Sequence, residues 1–177
     1  MIKLKQNKQT SGVFKAVHSR HFLGELSIGM ALVSSAWGGG LGGSVLPSGG
    51  QVVSGQANLA SQNKTLTITQ AGNKLAIDWQ SFAIGQGNTV KFVQPSASSV
   101  AMNRVLGADV SVIQGALQAN GQVFLLNPNG ILFTPTAQVN VGSLVASTLN
   151  ISNDNFLAGK YQLEGISTNA ITQQGTI

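Results

Sequence analysis

The sequence predicts an all-β fold built from many short strands, and three observations support this. Charged residues make up only 8% of the chain, against roughly a quarter in ordinary globular proteins. Gly, Ser, Thr, Asn and Gln supply the polarity instead, and they favour turns and short strands over solvated helices. Apolar, β-branched runs also recur about every twenty residues beyond the glycine-rich stretch 38–50, as expected of a stacked repeat.

Strict alternation of apolar and polar residues identifies the clearest strands. In "TLTIT" (65–69), Leu66 and Ile68 share one face and the threonines share the other, which is the period-two pattern of a half-buried strand. The predicted strands are 65–69, 75–79, 89–93, 99–103, 110–113, 122–126 and 138–142, with further strand around Ile166, Ile171 and Ile177.

Two of these segments need a closer interpretation. "LAIDW" (75–79) places Ala76 and Asp78 on the face opposite Trp79. The segment 98–121 contains "VSVIQGALQ", whose apolar residues could line a helix, but Gly115 in its middle favours strand, turn and strand.

Short strands with Asn and Ser at their corners favour a β-solenoid, with a β-sandwich as the alternative. The last residues, "AITQQGTI", begin another coil. An open stack would leave unpaired backbone groups at its end. We therefore expect either that the natural polypeptide continues or that the chain is a truncated remnant.

The first 36 residues have the three parts of an export signal. A basic stretch runs to His21, the apolar stretch "LSIGMALV" covers 26–33, and small residues follow. Eight apolar residues are too few to anchor a helix in a bilayer, which takes about twenty. We expect a signal peptide over 1–36, cleaved after Ala36, and then a glycine-rich linker over 37–44.

The charge distribution excludes a nucleic-acid binder. Much of the net charge of +5 comes from the leader, whereas five scattered basic residues face four acidic ones beyond Gly40. Binding to phosphates requires clustered Lys and Arg. Cysteine is absent, so no disulfide framework can form.

The body also lacks the residues on which common catalytic and metal sites depend. Both histidines, His18 and His21, lie in the leader, which removes the usual triads and most zinc sites. We therefore predict no catalytic residue, no metal and no cofactor. The four carboxylates of the body form no evident pair; they are Asp78, Asp109, Asp154 and Glu164.

Three other side chains have structural interpretations. Trp79 and Phe82 are expected to pack in the core or in a cap. Arg104 could pair locally with Asp109, a small effect if the pair is exposed.

A carbohydrate-active β-helix enzyme using the carboxylates is the alternative function.

The tetrapeptide Asn127-Pro128-Asn129-Gly130 predicts a rigid type I turn. Asn127 suits the first position, Pro128 has its φ pre-set for the second, and Gly130 can take positive φ at the fourth. We expect the flanking Phe124, Leu126, Ile131 and Phe133 to enter the stack with a fixed direction.

The region "NRVLGADVSVIQGALQANGQVFLLNPNGILF" (103–133) resembles the signature region of the secretion domain of two-partner secretion exoproteins, the filamentous haemagglutinin family or haemagglutination activity domain. The stretches 46–59, 77–105 and 141–159 are similar to other parts of that domain. The resemblance covers nearly everything from Val45 onward, although a second family motif, "NPNL", has no counterpart here.

The resemblance implies a right-handed parallel β-helix over 45–177, with an N-terminal cap and small extra-helical β elements, behind a leader that is helical or disordered. It implies passage through the inner membrane by the general secretory machinery, and recognition by a cognate outer-membrane barrel transporter with periplasmic docking domains.

The family motif falls on Asn127, Pro128, Asn129, Gly130 and Ile131. A secreted or cell-surface exoprotein of a Gram-negative bacterium is expected. Regions beyond this chain would contact host or bacterial surfaces as an adhesin, haemolysin or toxin.

Overall fold

The chain folds as a parallel β-helix of about three coils, and the computed structural model describes residues 3–4 and 45–175. Its elements are β1 (Lys3–Leu4), β2 (Gln51–Ser54), β3 (Ala57–Gln62), β4 (Thr65–Gln70), β5 (Lys74–Trp79), β6 (Thr89–Val93), β7 (Val100–Val105), β8 (Ser111–Ile113), β9 (Ala116–Ala119), β10 (Gln122–Leu126), β11 (Ile131–Phe133), β12 (Gln138–Asn140), β13 (Ser143–Ser147), α1 (Asn153–Leu157) and β14 (Ile171–Gln173).

Three sheets form the walls of the helix. Sheet A has the order β1-β13-β10-β7-β5-β2, sheet B has β12-β9-β6-β4-β3, and sheet C has β14-β11-β8. Along the chain each coil passes from sheet B to sheet A to sheet C. The strands of successive coils pair in parallel, with Leu75, Ala101, Val123 and Leu144 in one row. This parallel stacking excludes the sandwich alternative.

Two antiparallel strands cap the N-terminal end of the stack. β2 pairs with β5 in sheet A, and β3 pairs with β4 in sheet B over six residue pairs. They cover strand edges that the first coil would otherwise leave unpaired. The expected N-terminal cap is therefore present.

Alternate side chains of strands such as β4 and β6 fill the interior. Leu66 and Ile68 of β4 are buried, as the alternating pattern predicted. Trp79 and Phe82 pack edge to face with ring centroids 5.6 Å apart, which confirms their core role. The indole Nε1 of Trp79 donates a 3.0 Å hydrogen bond to Oδ1 of the fully buried Asn103.

A second apolar cluster covers the outer face of sheet A, and the sequence reading missed it. It joins residues from three strands of that sheet to two residues of the segment 148–165. We call it the outer cluster: Ala76, Val100, Met102, Phe124, Leu126, Ile151 and Phe156. The expectation that Ala76 faces away from the interior is correct, but the residue is fully buried there.

The segment 148–165 is the cover of this outer face. Ser152 caps α1 by accepting a hydrogen bond from the backbone of Asn155, and Lys74 donates from Nζ to the carbonyl groups of Phe156 and Leu157. Tyr161 packs edge to face on Phe124 with centroids 4.9 Å apart. Burial raises the pKa of the Tyr161 hydroxyl above its ordinary value.

Side-chain amides hold the corner between sheets B and A. The Gln94 backbone N–H donates to Oδ1 of Asn120, and Nδ2 of Asn120 donates back to the Gln94 carbonyl, both at 2.8 Å. Gln94 Nε2 also donates to Oε1 of the buried Gln70 at 3.2 Å. One ladder of amides thus ties three successive coils together.

The ambiguous segment 98–121 folds as strand, turn and strand, with β8 and β9 on either side of Gly115. A Cβ at Gly115 would lie 2.3 Å from the Asn88 carbonyl oxygen. Only glycine therefore fits at this turn between neighbouring coils. The expected strand at Ile171 is present as β14, but Ile166 is 98% exposed and lies outside any strand.

The predictions for the leader concern residues that lie almost wholly outside the described ranges. These are the signal peptide over 1–36, cleavage after Ala36 and the linker over 37–44, and Ile177 also lies outside. The described exception is β1, which extends sheet A by pairing in parallel with β13; a helical or disordered leader was expected there. Within the described residues, no helix has the length and apolarity to cross a membrane.

Replacing Phe156 by Ala should loosen the cover without removing the coils. Phe156 is fully buried in the outer cluster, and deleting a buried aromatic ring costs about 3 kcal/mol. We expect a lower urea midpoint and faster proteolysis within 148–165. Leu157→Ala, one residue away and 46% exposed, is the matched control. Equal effects of both variants would contradict the packing role of the cover.

Candidate functional site

The predicted turn forms the corner between β10 and β11, and we call residues 127–130 the corner. The Gly130 N–H donates a 3.1 Å hydrogen bond to the Asn127 carbonyl oxygen, the bond that closes a β-turn. Gly130 has φ 111°, which favours glycine. Both features agree with the turn that the sequence predicts.

Asn127 is the buried centre of the corner, with no exposed surface. Its Nδ2 donates to the Asp109 carbonyl and to Oγ of Ser111, each at 2.9 Å. Its backbone N–H donates to the Ser147 carbonyl at 2.9 Å. One asparagine therefore bonds to the coil before it and to the coil after it.

Asn129 repeats this bonding nearer the surface. Its Nδ2 donates to the Gly107 carbonyl at 2.7 Å and to Oδ1 of Asn127 at 3.1 Å. Its backbone N–H also donates to Oδ1 of Asn127 at 2.9 Å. Asparagine supplies both a donor pair and an acceptor, so the two side chains satisfy each other and the preceding coil.

Pro128 is the exposed tip of the corner, and the next coil holds its backbone. The Pro128 carbonyl accepts hydrogen bonds from Oγ of Ser167 at 2.6 Å and from Nδ2 of Asn169 at 2.8 Å. The Ile131 N–H donates to the Ala170 carbonyl at 3.2 Å. The corner is therefore enclosed between consecutive coils, with Pro128 exposed and Asn129 half-buried.

The side chains on the two sides of the corner enter different cores. Ile131 and Phe133 lie in the interior, as expected. Phe124 and Leu126 instead lie in the outer cluster, because sheet A has both faces covered. The expectation that all four enter the stack is wrong for these two.

Apolar surface and a shallow groove surround the tip. Leu106 is 64% exposed and Val110 is 46% exposed, and both belong to the preceding coil's turn. A groove of about 400 Å³ lies between Pro128 and residues 164–169, with Glu164 as its titratable lining residue. Such a surface can bind a partner through shape complementarity and backbone hydrogen bonds, and it offers few groups for acid–base chemistry.

The carboxylates occupy separate places. Asp78 accepts hydrogen bonds from Nε and Nη2 of Arg104 at 2.8 and 2.9 Å, and the two residues are register partners on β5 and β7. The predicted pairing of Arg104 with Asp109 is therefore wrong. Strand register brings Asp78 closer to Arg104, because residues one coil apart, here 26 positions apart in sequence, lie directly opposite each other in the stack.

The remaining acids are exposed on different segments. Asp109 lies in the turn before β8, Asp154 lies in the first turn of α1, and Glu164 pairs through its backbone with Asn150. Within residues 45–175, no group of three or more His, Cys, Asp or Glu side chains could hold a metal ion.

Sequence reasoning missed the partners of the corner. Ser111, Ser167 and Asn169 supply side-chain bonds to it, yet each lies 16 to 41 residues from its partner. The feature of the sequence that could have indicated these partners is the recurrence of a small polar residue where each coil turns.

Comparison with known proteins agrees with this architecture. The model of the TPS secretion domain family matches residues 43–177. Two heme/hemopexin-binding proteins of Haemophilus influenzae are 49% and 47% identical to the chain over 106 and 97 residues. These matches cover 60% and 55% of this chain but only 12% and 10% of those proteins.

A solved structure is similar as well. The crystal structure of the HMW1 secretion domain from Haemophilus influenzae superposes with a TM-score of 0.70 at 35% sequence identity, covering 73% of this chain and 35% of that one. The matching family is one of secretion domains and is not an enzyme family. Because its model matches most of the chain, this protein belongs to the family of TPS secretion domains, which serve two-partner secretion exoproteins.

Proposed function

We propose that residues 45–177 direct the export of a longer exoprotein by engaging a cognate outer-membrane barrel transporter, and that the segment 127–131 is the element that the transporter's periplasmic domains read. The family match over residues 43–177 is the observation that carries the first part. The second part rests on the geometry of the corner.

Recognition of the corner must precede folding. Asn127 has no exposed surface and its side chain is fully hydrogen-bonded, so a partner could read it only in an unfolded chain. In an unfolded chain the extended segment 123–126, directly before the corner, can add as a strand to a sheet edge, with main-chain bonds giving affinity and alternate side chains giving selectivity. This segment has no charged residue and begins with the strand formers Val123 and Phe124.

Folding then buries Asn127, Gly130 and Ile131, so that the transporter can no longer bind them. The corner gains its hydrogen bonds to Asp109 and Ser147 only when the preceding and following coils are in place. Release outside the cell would therefore be coupled to stacking, and the free energy of folding would make passage directional. One segment thus has two successive roles, first as a ligand and then as a structural corner.

The leader supplies the earlier step of this route. Residues 1–36 act as a signal peptide for the general secretory machinery, with cleavage after Ala36, and 37–44 act as a linker. The expected location is the cell surface or the medium of a Gram-negative bacterium.

The function of the longer exoprotein is suggested by the relatives of this chain. The relatives are heme/hemopexin-binding proteins, and this chain spans about a tenth of their length. We infer a longer exoprotein with a similar ligand or an adhesive function. The domain itself acts without catalysis; a carbohydrate-active enzyme and a non-functional remnant are the alternatives.

Replacing both Asn127 and Asn129 by Ala should reduce export strongly in a strain with the cognate transporter. The variant removes the recognition residues and also weakens the folded corner, since unsatisfied buried partners cost about 1–3 kcal/mol each. Export is measured as the fraction of the protein in the medium, alongside the urea midpoint of the purified chain.

Ser111→Ala is the matched control for folding. It removes a hydrogen-bond partner of Asn127 and leaves 127–131 unchanged. We expect this control to lower the urea midpoint but to preserve most of the export. If both variants lose export in proportion to stability, or if the double variant is exported normally, the recognition role is wrong.

Deleting residues 1–36 should retain the protein in the cytoplasm, because the signal for the first membrane is then absent. Cell fractionation measures this, and the N-terminal sequence of the exported wild-type protein should begin at Trp37. Normal export of the truncated chain, or a mature protein that keeps its first residues, would refute the interpretation of the leader.

A further inference from the structure

Two Asn-Gly pairs lie at corners of the helix, Asn120-Gly121 and Asn129-Gly130. In such a pair the backbone nitrogen of glycine can attack the side-chain amide carbon of asparagine, because no side chain on glycine obstructs the approach. This reaction needs a flexible backbone and water, and no enzyme or cofactor.

Hydrogen bonds hold both reacting groups of Asn129-Gly130 in the folded corner. The nucleophile, the Gly130 nitrogen, donates its hydrogen to the Asn127 carbonyl at 3.1 Å. The leaving group, Nδ2 of Asn129, donates to the Gly107 carbonyl at 2.7 Å and to Oδ1 of Asn127 at 3.1 Å. Attack requires these bonds to break together.

We propose that Asn129 is a deamidation site that reacts only in chains whose corner is open. The Gly130 nitrogen loses its proton and bonds to the Asn129 side-chain carbon, and the bond from that carbon to Nδ2 breaks. Ammonia leaves with the proton, and a succinimide ring remains. Water then opens the ring at either carbonyl, which yields aspartate or isoaspartate.

The product no longer fits the folded corner. Nδ2 of Asn129 is a donor to two oxygens, those of Gly107 and Asn127. In the aspartate product a carboxylate oxygen faces the same two acceptors, so two attractions become repulsions. The isoaspartate product also lengthens the backbone by one carbon between Pro128 and Gly130. This extra atom does not fit the turn that the hydrogen bond from Gly130 to Asn127 closes.

The reaction therefore distinguishes chains that fold promptly from chains that stay unfolded. A stacked chain is protected, whereas a chain waiting to be exported is exposed to the reaction and progressively loses its ability to close the corner. This consequence for export rests on the proposed function. The chemistry of the site does not, because it depends only on whether the corner is folded.

Asn120-Gly121 is an internal reference for the same chemistry. In the folded chain Asn120 exchanges two 2.8 Å bonds with Gln94, and the Gly121 N–H donates to Oε1 of Gln94 at 2.9 Å. Unfolding should release both pairs alike. Similar rates at both sites in the unfolded chain would show that the sequence next to Asn129 does not set its rate, so that a slow reaction in the folded chain is due to the folded corner.

The test uses the purified chain, folded in buffer or unfolded in guanidinium chloride at the same alkaline pH and temperature. Peptide mass mapping follows the gain of one mass unit at 129 and at 120. We expect the folded corner to react at least about tenfold more slowly, because reaction is confined to locally open molecules. Equal rates in both states, or no reaction at 129 in the unfolded chain, would overturn the proposal.

A pair of variants tests the consequence for folding without any transporter. Asn129→Asp should lower the urea midpoint and slow refolding. Asn140→Asp is the control, since Asn140 is exposed on β12 and its side chain has no hydrogen-bond partner within residues 45–175; it should behave like the wild type. Refolding of Asn129→Asp at the wild-type rate and stability would show that the modification is harmless and would refute the second half of the proposal.

Discussion

Backbone pairing between coils is the constraint on which the rest of this structure depends. The strands of a coil do not pair with one another, since the parallel pairing in sheets A, B and C joins each strand to strands of neighbouring coils. A single coil can therefore satisfy neither its backbone groups nor its apolar side chains. The low charge follows from the same constraint, because inward positions are apolar and the corners are held by neutral amides such as Gln94 and Asn120.

For the proposed function, this constraint gives the four residues of the corner one role before folding and another after it. Asn127 bonds backward to Asp109 and Ser111 and forward to Ser147, so it is satisfied only when three coils have stacked. In an unfolded chain the same polar groups and the adjoining apolar strand are free for another sheet edge. In the proposed function the chain acts by the order in which its backbone finds partners. The ion pair between Asp78 and Arg104 has a structural role instead, as a cross-strand contact beneath the cover.

The sequence predicted the period-two strands and the turn because these are local patterns. It could not predict that Asp78 pairs with Arg104, since that contact depends on register between coils. The same limit applies to the outer cluster, because Phe124 and Phe156 meet only when the segment 148–165 folds back over sheet A. The two Asn-Gly pairs are typical of β-hairpins, yet both form corners of parallel coils. The two strands that flank each pair do not bond to each other, because each bonds to strands of the neighbouring coils.

Native-state hydrogen exchange at the backbone of the corner tests the central claim most directly. The amides of Asn127 and Ile131 donate to Ser147 and Ala170 of the following coil, and the amide of Gly130 donates to Asn127 within the corner. If the corner closes only as part of the stacked coils, these amides should exchange with the same opening free energy as the amides of β10. Exchange at the corner that is much faster than in β10, as in an independently fraying loop, would contradict the coupling of the corner to the stack.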